Sequence, residues 1–187
     1  QIKRSSADLE IRERRNVSRE SRNDVVLGVA LPRSDRQRWL IEKAVELGVA
    51  EVVPLITSRG VALRGEGARK RLERTVIEAS KQCCRNALMR IAEPLDIEEF
   101  LAAEAPDAVR WIAHPGSLER KEACPVALTR QVPSPVARVA IGPEGGFTDA
   151  EIALAVMHQW QMVDLGPRVL RVETAALAIA SLLLLGT

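Results

Sequence analysis

A chain of 187 residues with 47% hydrophobic content is long enough to bury the core of one well-packed domain. Its 27 Lys and Arg against 25 Asp and Glu leave a net charge of +2, so a case for nucleic acid must rest on where the cations sit. Three cysteines, two of them adjacent at Cys83 and Cys84, with two histidines make neither a disulfide framework nor a metal-ligand spacing; no metal is expected, and a reducing cytoplasm is.

The chain starts at Gln1 without a Met or a signal-peptide pattern, so it is expected to begin inside a longer protein. From Ala7 to Arg15, apolar and charged residues alternate at period two, which predicts a half-exposed antiparallel strand with Leu9 and Ile11 inward. Near Asn23 the pattern changes. Val25 to Leu31 is a mostly apolar strand. Ser34 and Gln37 form a capping-box signature for a helix through Trp39, Leu40, Ile41, Ala44 and Val45, which Gly48 ends. Glu51 to Ile56 is the next strand, and Arg69 to Arg85 carries Leu72, Val76, Ala79 and Cys83 at helical spacing. Val109 to Ala113 and Val136 to Ile141 read as buried strands, with Pro125 to Pro135 a surface connection before the second of them. The alternation predicts an α/β fold with a parallel sheet and helices on both faces.

Two Gly-Pro loops follow. In the first, Ile141 to Phe147 (IGPEGGF), Gly142, Gly145 and Gly146 permit positive φ and close backbone approach, Pro143 stiffens the turn, and Glu144 supplies a carboxylate. Thr148 and Glu151 form a capping box for a helix over Asp149 to Trp160, whose unpaired amides are expected to turn toward the glycines. Gln161 to Leu165 is a short strand leading to the second loop, LGPRVLRVETAA, where Gly166 and Pro167 turn the chain and Arg168, Arg171, Glu173 and Thr174 lie around Val169 and Leu170. The helix from Ala175 to Leu185 is apolar on every face, so it is expected to be buried all round, in the core or against a second subunit. It is too short for the roughly 20 residues that span a bilayer. Each loop alone is also what a plain strand-to-helix connection looks like; together they suit a small-molecule site at strand ends.

The cations cluster in the first half. Lys3, Arg4, Arg12, Arg14, Arg15, Arg19 and Arg22 come first; Arg33, Arg36, Arg38, Arg59, Arg64, Arg69, Lys70, Arg71 and Arg74 follow. They read as an RNA-facing surface or as ordinary solvated faces. Cys83 and Cys84 read as packing, His158 as a helix-surface residue, and Trp39 and Phe147 as core or as stacking surfaces for a base.

IGPEGGF, LGPRVLRVETA, EKAVELGV from Glu42 to Val49 and EASKQCCRN from Glu78 to Asn86 together resemble the RsmE-type methyltransferases of small-subunit ribosomal RNA, members of the SPOUT class. The resemblance runs from about Asp24 to the C-terminus. It implies a parallel sheet with a C-terminal trefoil knot, an exception to the rule against knotted chains. It also implies S-adenosylmethionine as cofactor, a homodimer, and 16S rRNA or the small ribosomal subunit as partner, with methylation at uracil N(3). The implied cofactor-binding residues are His114, Ile141, Gly142, Pro143, Glu144, Gly145, Gly146, Leu165, Gly166, Arg168, Val169, Leu170, Thr174 and Ala175. Arg171, Glu173 and Glu144 are the candidate catalytic residues; Arg171, Arg168, Arg85, Arg59 and Arg33 are the candidate RNA contacts. At His114 a plain strand-end histidine is the alternative, and Glu144 or Glu173 could instead brace a loop. Family members usually begin with a small PUA-like RNA-binding β-barrel, of which residues 1–22 are expected to be the end, with residues 23–187 the methyltransferase domain. The alternatives are a SPOUT enzyme acting on another RNA position, such as a transfer RNA ribose, and a non-catalytic RNA-binding protein.

Overall fold

A computed structural model of the chain describes residues 9–15, 17–33, 35–61, 65–114, 124–125 and 135–185. The elements are β1 (Asp24–Val29), α1 (Asp35–Leu47), β2 (Glu51–Ile56), α2 (Glu66–Cys83), β3 (Arg90–Ile91), β4 (Leu95–Asp96), α3 (Ile97–Ala102), β5 (Ala108–Ala113), β6 (Cys124–Pro125), β7 (Val136–Ile141), α4 (Asp149–Met157), β8 (Gln161–Asp164) and α5 (Val172–Leu184). The sheet runs β3-β2-β1-β7-β5-β8-β6, with β4 also on β2. Its pairings are all parallel. Such a sheet needs cover on both faces, and two cores supply it. On one face Val25, Leu27 and Val29 of β1 pack with α1, α2 and α5. On the other, Val53, Ala140 and Ile112 pack with α3 and α4.

Gly28 shows how closely the second layer lies. A Cβ there would stand 2.5 Å from the Phe100 ring, so α3 reaches the sheet only over a glycine. Neighbouring Arg110 and Arg138 sit in register on β5 and β7. They donate to carbonyls at or beyond the carboxyl ends of α3 and α4, Arg138 to Phe100 at 3.2 Å and Arg110 to Ala105 and His158 at 3.2 and 3.3 Å. Burial, and then the charge of Arg110, hold the Arg138 guanidinium below its ordinary pKa.

Strand order reverses at β1, with β2 on one side and β7 on the other. Both Gly-Pro loops lie at the carboxyl ends of the strands, leaving β7 and β8 on either side of β5.

Several expectations are corrected. Residues 9–15 form no strand, and Leu9 and Ile11 are 88% and 73% exposed, because no strand among the described residues lies beside them. One side of α5 packs on α1 and β1, while Leu182 and the following Leu185 are 48% and 69% exposed, so the core of one chain does not bury the helix all round and the expectation stands only in its other form, burial against a second subunit. The α4 helix stops at Met157, before Trp160, because Gln159 turns left-handed with φ 62°. That turn carries Trp160 into the core, where its indole N–H donates to the Leu101 carbonyl at 3.0 Å. Cys84 is exposed at the left-handed end of α2, whereas Cys83 is half-buried as packing requires. His158 is half-buried at the end of α4. Pro125 belongs to β6 rather than to a connection. Ser34, Arg64 and residues 126–134 lie outside the described residues.

Candidate active site between two Gly-Pro loops

The first loop leaves β7 at buried Ile141 and turns through Pro143 to Gly146, closed by the Gly146 amide donating to the Pro143 carbonyl at 2.8 Å. Gly146 has φ 68°, a conformation that favours glycine. Phe147 is buried, and its ring lies so near Gly142 that a Cβ there would meet it at 3.1 Å. The capping box forms: the Glu151 amide donates to Thr148 Oγ1 at 3.2 Å, and the Thr148 amide donates to Glu151 Oε2 at 2.6 Å. Glu151 also reaches outside its own helix, its Oε1 accepting from the Ser58 amide at 2.9 Å. Burial alone would raise the Glu151 carboxyl, but the Ser58 and Thr148 bonds outweigh it and hold the group below the usual carboxylate range. The helix amides expected to face a ligand are in part consumed by this cap.

Arg59, beyond Ser58 after β2, donates from Nη1 to the Gly145 carbonyl at 2.8 Å. The loop after β2 therefore braces the first Gly-Pro loop through both Ser58 and Arg59.

The second loop is held differently. Buried Asp164 accepts the Gly166 amide at 2.9 Å, and Gly166 takes φ 108°. Pro167, Arg168 and Val169 beyond it are exposed, Leu170 is half-buried against the core, and Arg171 is the exposed first cap of α5. Val172 and Glu173 turn inward and are buried.

Between the loops lies a concave pocket lined by residues of both. His114, Ile141, Gly142, Pro143, Glu144 and Gly146 form one wall. Leu165, Arg168, Val169, Leu170 and Ala175 form the other. Three expected cofactor residues lie off this lining: Gly145, whose carbonyl is held by Arg59; Gly166; and Thr174, which is exposed. Of the catalytic candidates, Glu144 lines the mouth, Glu173 is buried beneath it, and Arg171 stands exposed outside the lining. The sequence reading missed Ala113, Val163, Asp164 and Val172. The register pairs Ala113 with both Ile141 and Val163, so they share a strand-end row with a residue already identified.

Arg85 is engaged away from the pocket. Its guanidinium is 7% exposed, pairs with Glu20 at 2.6 Å and donates to the Val45 and Val49 carbonyls at 3.1 and 2.9 Å, which leaves little of it to meet a phosphate. Burial would raise the Glu20 carboxyl, yet Arg85 and the Ala87 amide hold it below its ordinary value. Arg33, by contrast, is exposed after β1, at the same sheet edge as the pocket. Trp39 is 46% exposed and Phe147 is core. Arg36 lies between two carboxylates, its Nη1 3.5 Å from Glu144 and 3.9 Å from Glu173. Among the described residues no group of His, Cys, Asp and Glu could hold a metal ion.

The model of the RNA methyltransferase domain family matches residues 19–184. A ribosomal RNA small subunit methyltransferase E from Synechocystis is 33% identical over 151 residues, which cover 81% of this chain and 50% of that protein. One of the same name from Mesomycoplasma hyopneumoniae is 32% identical over 177 residues, 92% of this chain and 74% of its own length. The chain thus spans half to three quarters of the length of these relatives. Among solved structures, a ribosomal RNA small subunit methyltransferase E from Neisseria gonorrhoeae, bound to S-adenosyl methionine, superposes with a TM-score of 0.80 at 29% identity, covering 89% of this chain and 68% of its own.

Proposed function

Because the chain belongs to the RNA methyltransferase domain family, among relatives named ribosomal RNA small subunit methyltransferase E, we propose that it transfers a methyl group from S-adenosylmethionine to N(3) of a uridine in 16S rRNA. The observation that carries this reading is the pocket between the two Gly-Pro loops, in a fold shared with an S-adenosyl methionine-bound enzyme. The lining suits that cofactor. Val163, Leu165, Leu170 and Val172 offer apolar surface to a purine, and Glu144 and Arg168 offer opposite charges to an amino-acid end.

When bound, the cofactor supplies an electrophilic methyl whose S–C bond breaks as the N–C bond to the uracil forms, leaving a neutral thioether. The acceptor nitrogen lies on the Watson-Crick edge, so the uridine must be unpaired or flipped out to reach the pocket mouth. Its proton must leave, and Glu144, exposed beside the pocket, is our acceptor; Glu173 is buried and faces Arg36 instead. Arg171 stabilises the charge that develops on the uracil oxygens, and Arg168 and Arg33 meet the RNA backbone. All three are exposed at this edge of the sheet.

Three further assignments belong to this reading. The C-terminal segment threads as a trefoil knot, an arrangement to which β8 lodged between β5 and β6 and the return of α5 to β1 are suited. Residues 23–187 are the SPOUT methyltransferase domain, and residues 1–22 are the end of a PUA-like barrel, whose interior would suit Leu9, Ile11 and Val17, all exposed in this chain. A second copy of the chain covers the outer side of α5 at Leu182 and Leu185, giving a cytoplasmic homodimer. Among the described residues no helix is long and apolar enough to cross a membrane.

Calorimetry with S-adenosylmethionine tests the enzyme against the alternative of a binding protein without catalysis: a folded dimer that takes up none overturns the enzyme. Ribosomal RNA from a strain lacking the protein should lose one 3-methyluridine. An unchanged nucleoside profile there, with a lost methyl group in transfer RNA, would move the activity to another RNA position.

A further inference from the structure

Arg36 stands in the first turn of α1, one and two turns ahead of the buried Leu40 and Ala44 on the same stripe of the helix. From there one guanidinium nitrogen serves two carboxylates. Glu144 belongs to the first Gly-Pro loop and Glu173 follows the second, so the pairs at 3.5 and 3.9 Å join the two walls of the pocket. The carboxylates differ in a way that decides the role of the arginine. Glu144 is 56% exposed, and its pair alone would be worth ~0–1 kcal/mol. Glu173 is 8% exposed, and its Oε2 is buried with no hydrogen-bond partner. A buried carboxylate so poorly satisfied depends on a nearby cation and on the amino end of its own helix. Its ion pair among the described residues runs to Arg36. Both distances exceed those of a direct hydrogen bond, so the tether is attractive without fixing one geometry.

We propose that Arg36 is a positioning residue of the methyl-transfer site, setting the separation of the two Gly-Pro loops by sharing its guanidinium between Glu144 and Glu173. This rests on the methyltransferase reading above. It assigns Arg36 no contact with substrate; its effect passes through the walls that hold the cofactor and, in Glu144, the proton acceptor.

The test uses wild type, Arg36→Gln and Arg36→Lys, with S-adenosylmethionine affinity from calorimetry and single-turnover methylation of small subunits from a strain lacking the protein. Misplacement of a wall by an ångström or less should weaken cofactor binding and slow transfer by about tenfold each in Arg36→Gln. Arg36→Lys, which keeps the charge, should recover most of both, while melting temperatures stay close to wild type. In a double-mutant cycle, Glu144→Gln should cost less in the Arg36→Gln background than in wild type. If Arg36→Gln does not fold, Arg36→Lys against Glu144→Gln carries the same comparison, with Glu144→Gln the more impaired in cofactor binding. Wild type that binds no S-adenosylmethionine overturns the methyltransferase reading and this proposal with it. Wild type that binds and transfers, beside an Arg36→Gln protein with unchanged affinity and rate, or with only a lowered melting temperature, overturns the proposal alone.

Discussion

The two Gly-Pro loops have the same opening dipeptide, the same kind of position at a strand end and a helix to follow each, yet they are supported in different ways. The first is tied from several directions: the Thr148–Glu151 box, the Ser58 amide on Glu151, the Arg59 guanidinium on Gly145, and Phe147 beneath it. In the second, the local polar tie is the Asp164 carboxylate on the Gly166 amide, and Val169 beyond it is 81% exposed. A pocket with one braced wall and one lightly held wall can admit and release a ligand without giving up its shape. Changes to the ties that hold the first loop should therefore cost folding stability, and changes to the second loop should cost function.

The largest expected effect is Glu151→Ala. The buried carboxylate serves the cap of α4 and the Ser58 amide together, so its loss leaves amides of two loops without partners. The Thr148 hydroxyl still caps the helix, so the loss is that of the two bonds accepted by the carboxylate, ~1–1.5 kcal/mol each and about 2–3 kcal/mol in all. Differential scanning calorimetry should show a fall in melting temperature of roughly 4–12 °C. A fall under about 2 °C would mean that the first wall is no more firmly built than the second.

Arg171→Ala belongs on the other side. The side chain is exposed and caps no amide, so the fold should keep its melting temperature. Methyl transfer should fall by about thirtyfold, ~2 kcal/mol in the barrier, with cofactor affinity little changed. Equal losses in affinity and rate would show that Arg171 supports the pocket rather than the reaction.

How much of this contrast could be read from the residues varies with the kind of interaction. Strands β1, β2, β5 and β7 are six residues each and apolar but for one charged residue, long enough to be recognised without a partner. The Thr148–Glu151 box and the stop at Gly48 are local chemistry, and both form. The strands β3, β4 and β6, of two residues each, are too short to carry a pattern. The α5 helix has no polar stripe, so its composition could not say which side would face outward. The residues missed at the site act through space: Glu151 on Ser58, Arg36 on Glu144 and Glu173, and Arg85 turned inward to Glu20 rather than outward to RNA. A charged residue in a solvated-looking run carries no local mark of the partner it will find.

A smaller effect is expected from Gly166→Ala. The backbone there has φ 108°, while a Cβ would meet nothing within 4 Å, so the cost is conformational alone, ~1–2 kcal/mol if the turn keeps its shape. A lightly held loop has another course, which is to change its turn. The stability loss should then come out nearer 1 kcal/mol, with weaker cofactor binding seen by calorimetry. A full loss with unchanged affinity would mean that the second wall is as firmly set as the first.

The smallest effect, and the sharpest, is in acid. Glu151 is held below its ordinary value of 4.5, so its contribution to stability is complete above about pH 4.5 and is lost as pH falls through the lower value of the folded state. Glu151→Gln keeps the shape of the side chain without the charge, and a protonated Glu151 resembles it. The melting temperature of wild type should therefore exceed that of Glu151→Gln at neutral pH, and the difference should close in acid. Carboxyls elsewhere, Glu20 among them, titrate alike in both proteins and cancel from the difference. The same comparison made at Asp164 with Asp164→Asn should give a smaller difference at neutral pH, because one amide rather than two loops depends on that carboxylate. A wild-type advantage that persists undiminished to about pH 3 would show that the first loop is held by packing on Phe147 and not by the charge of Glu151.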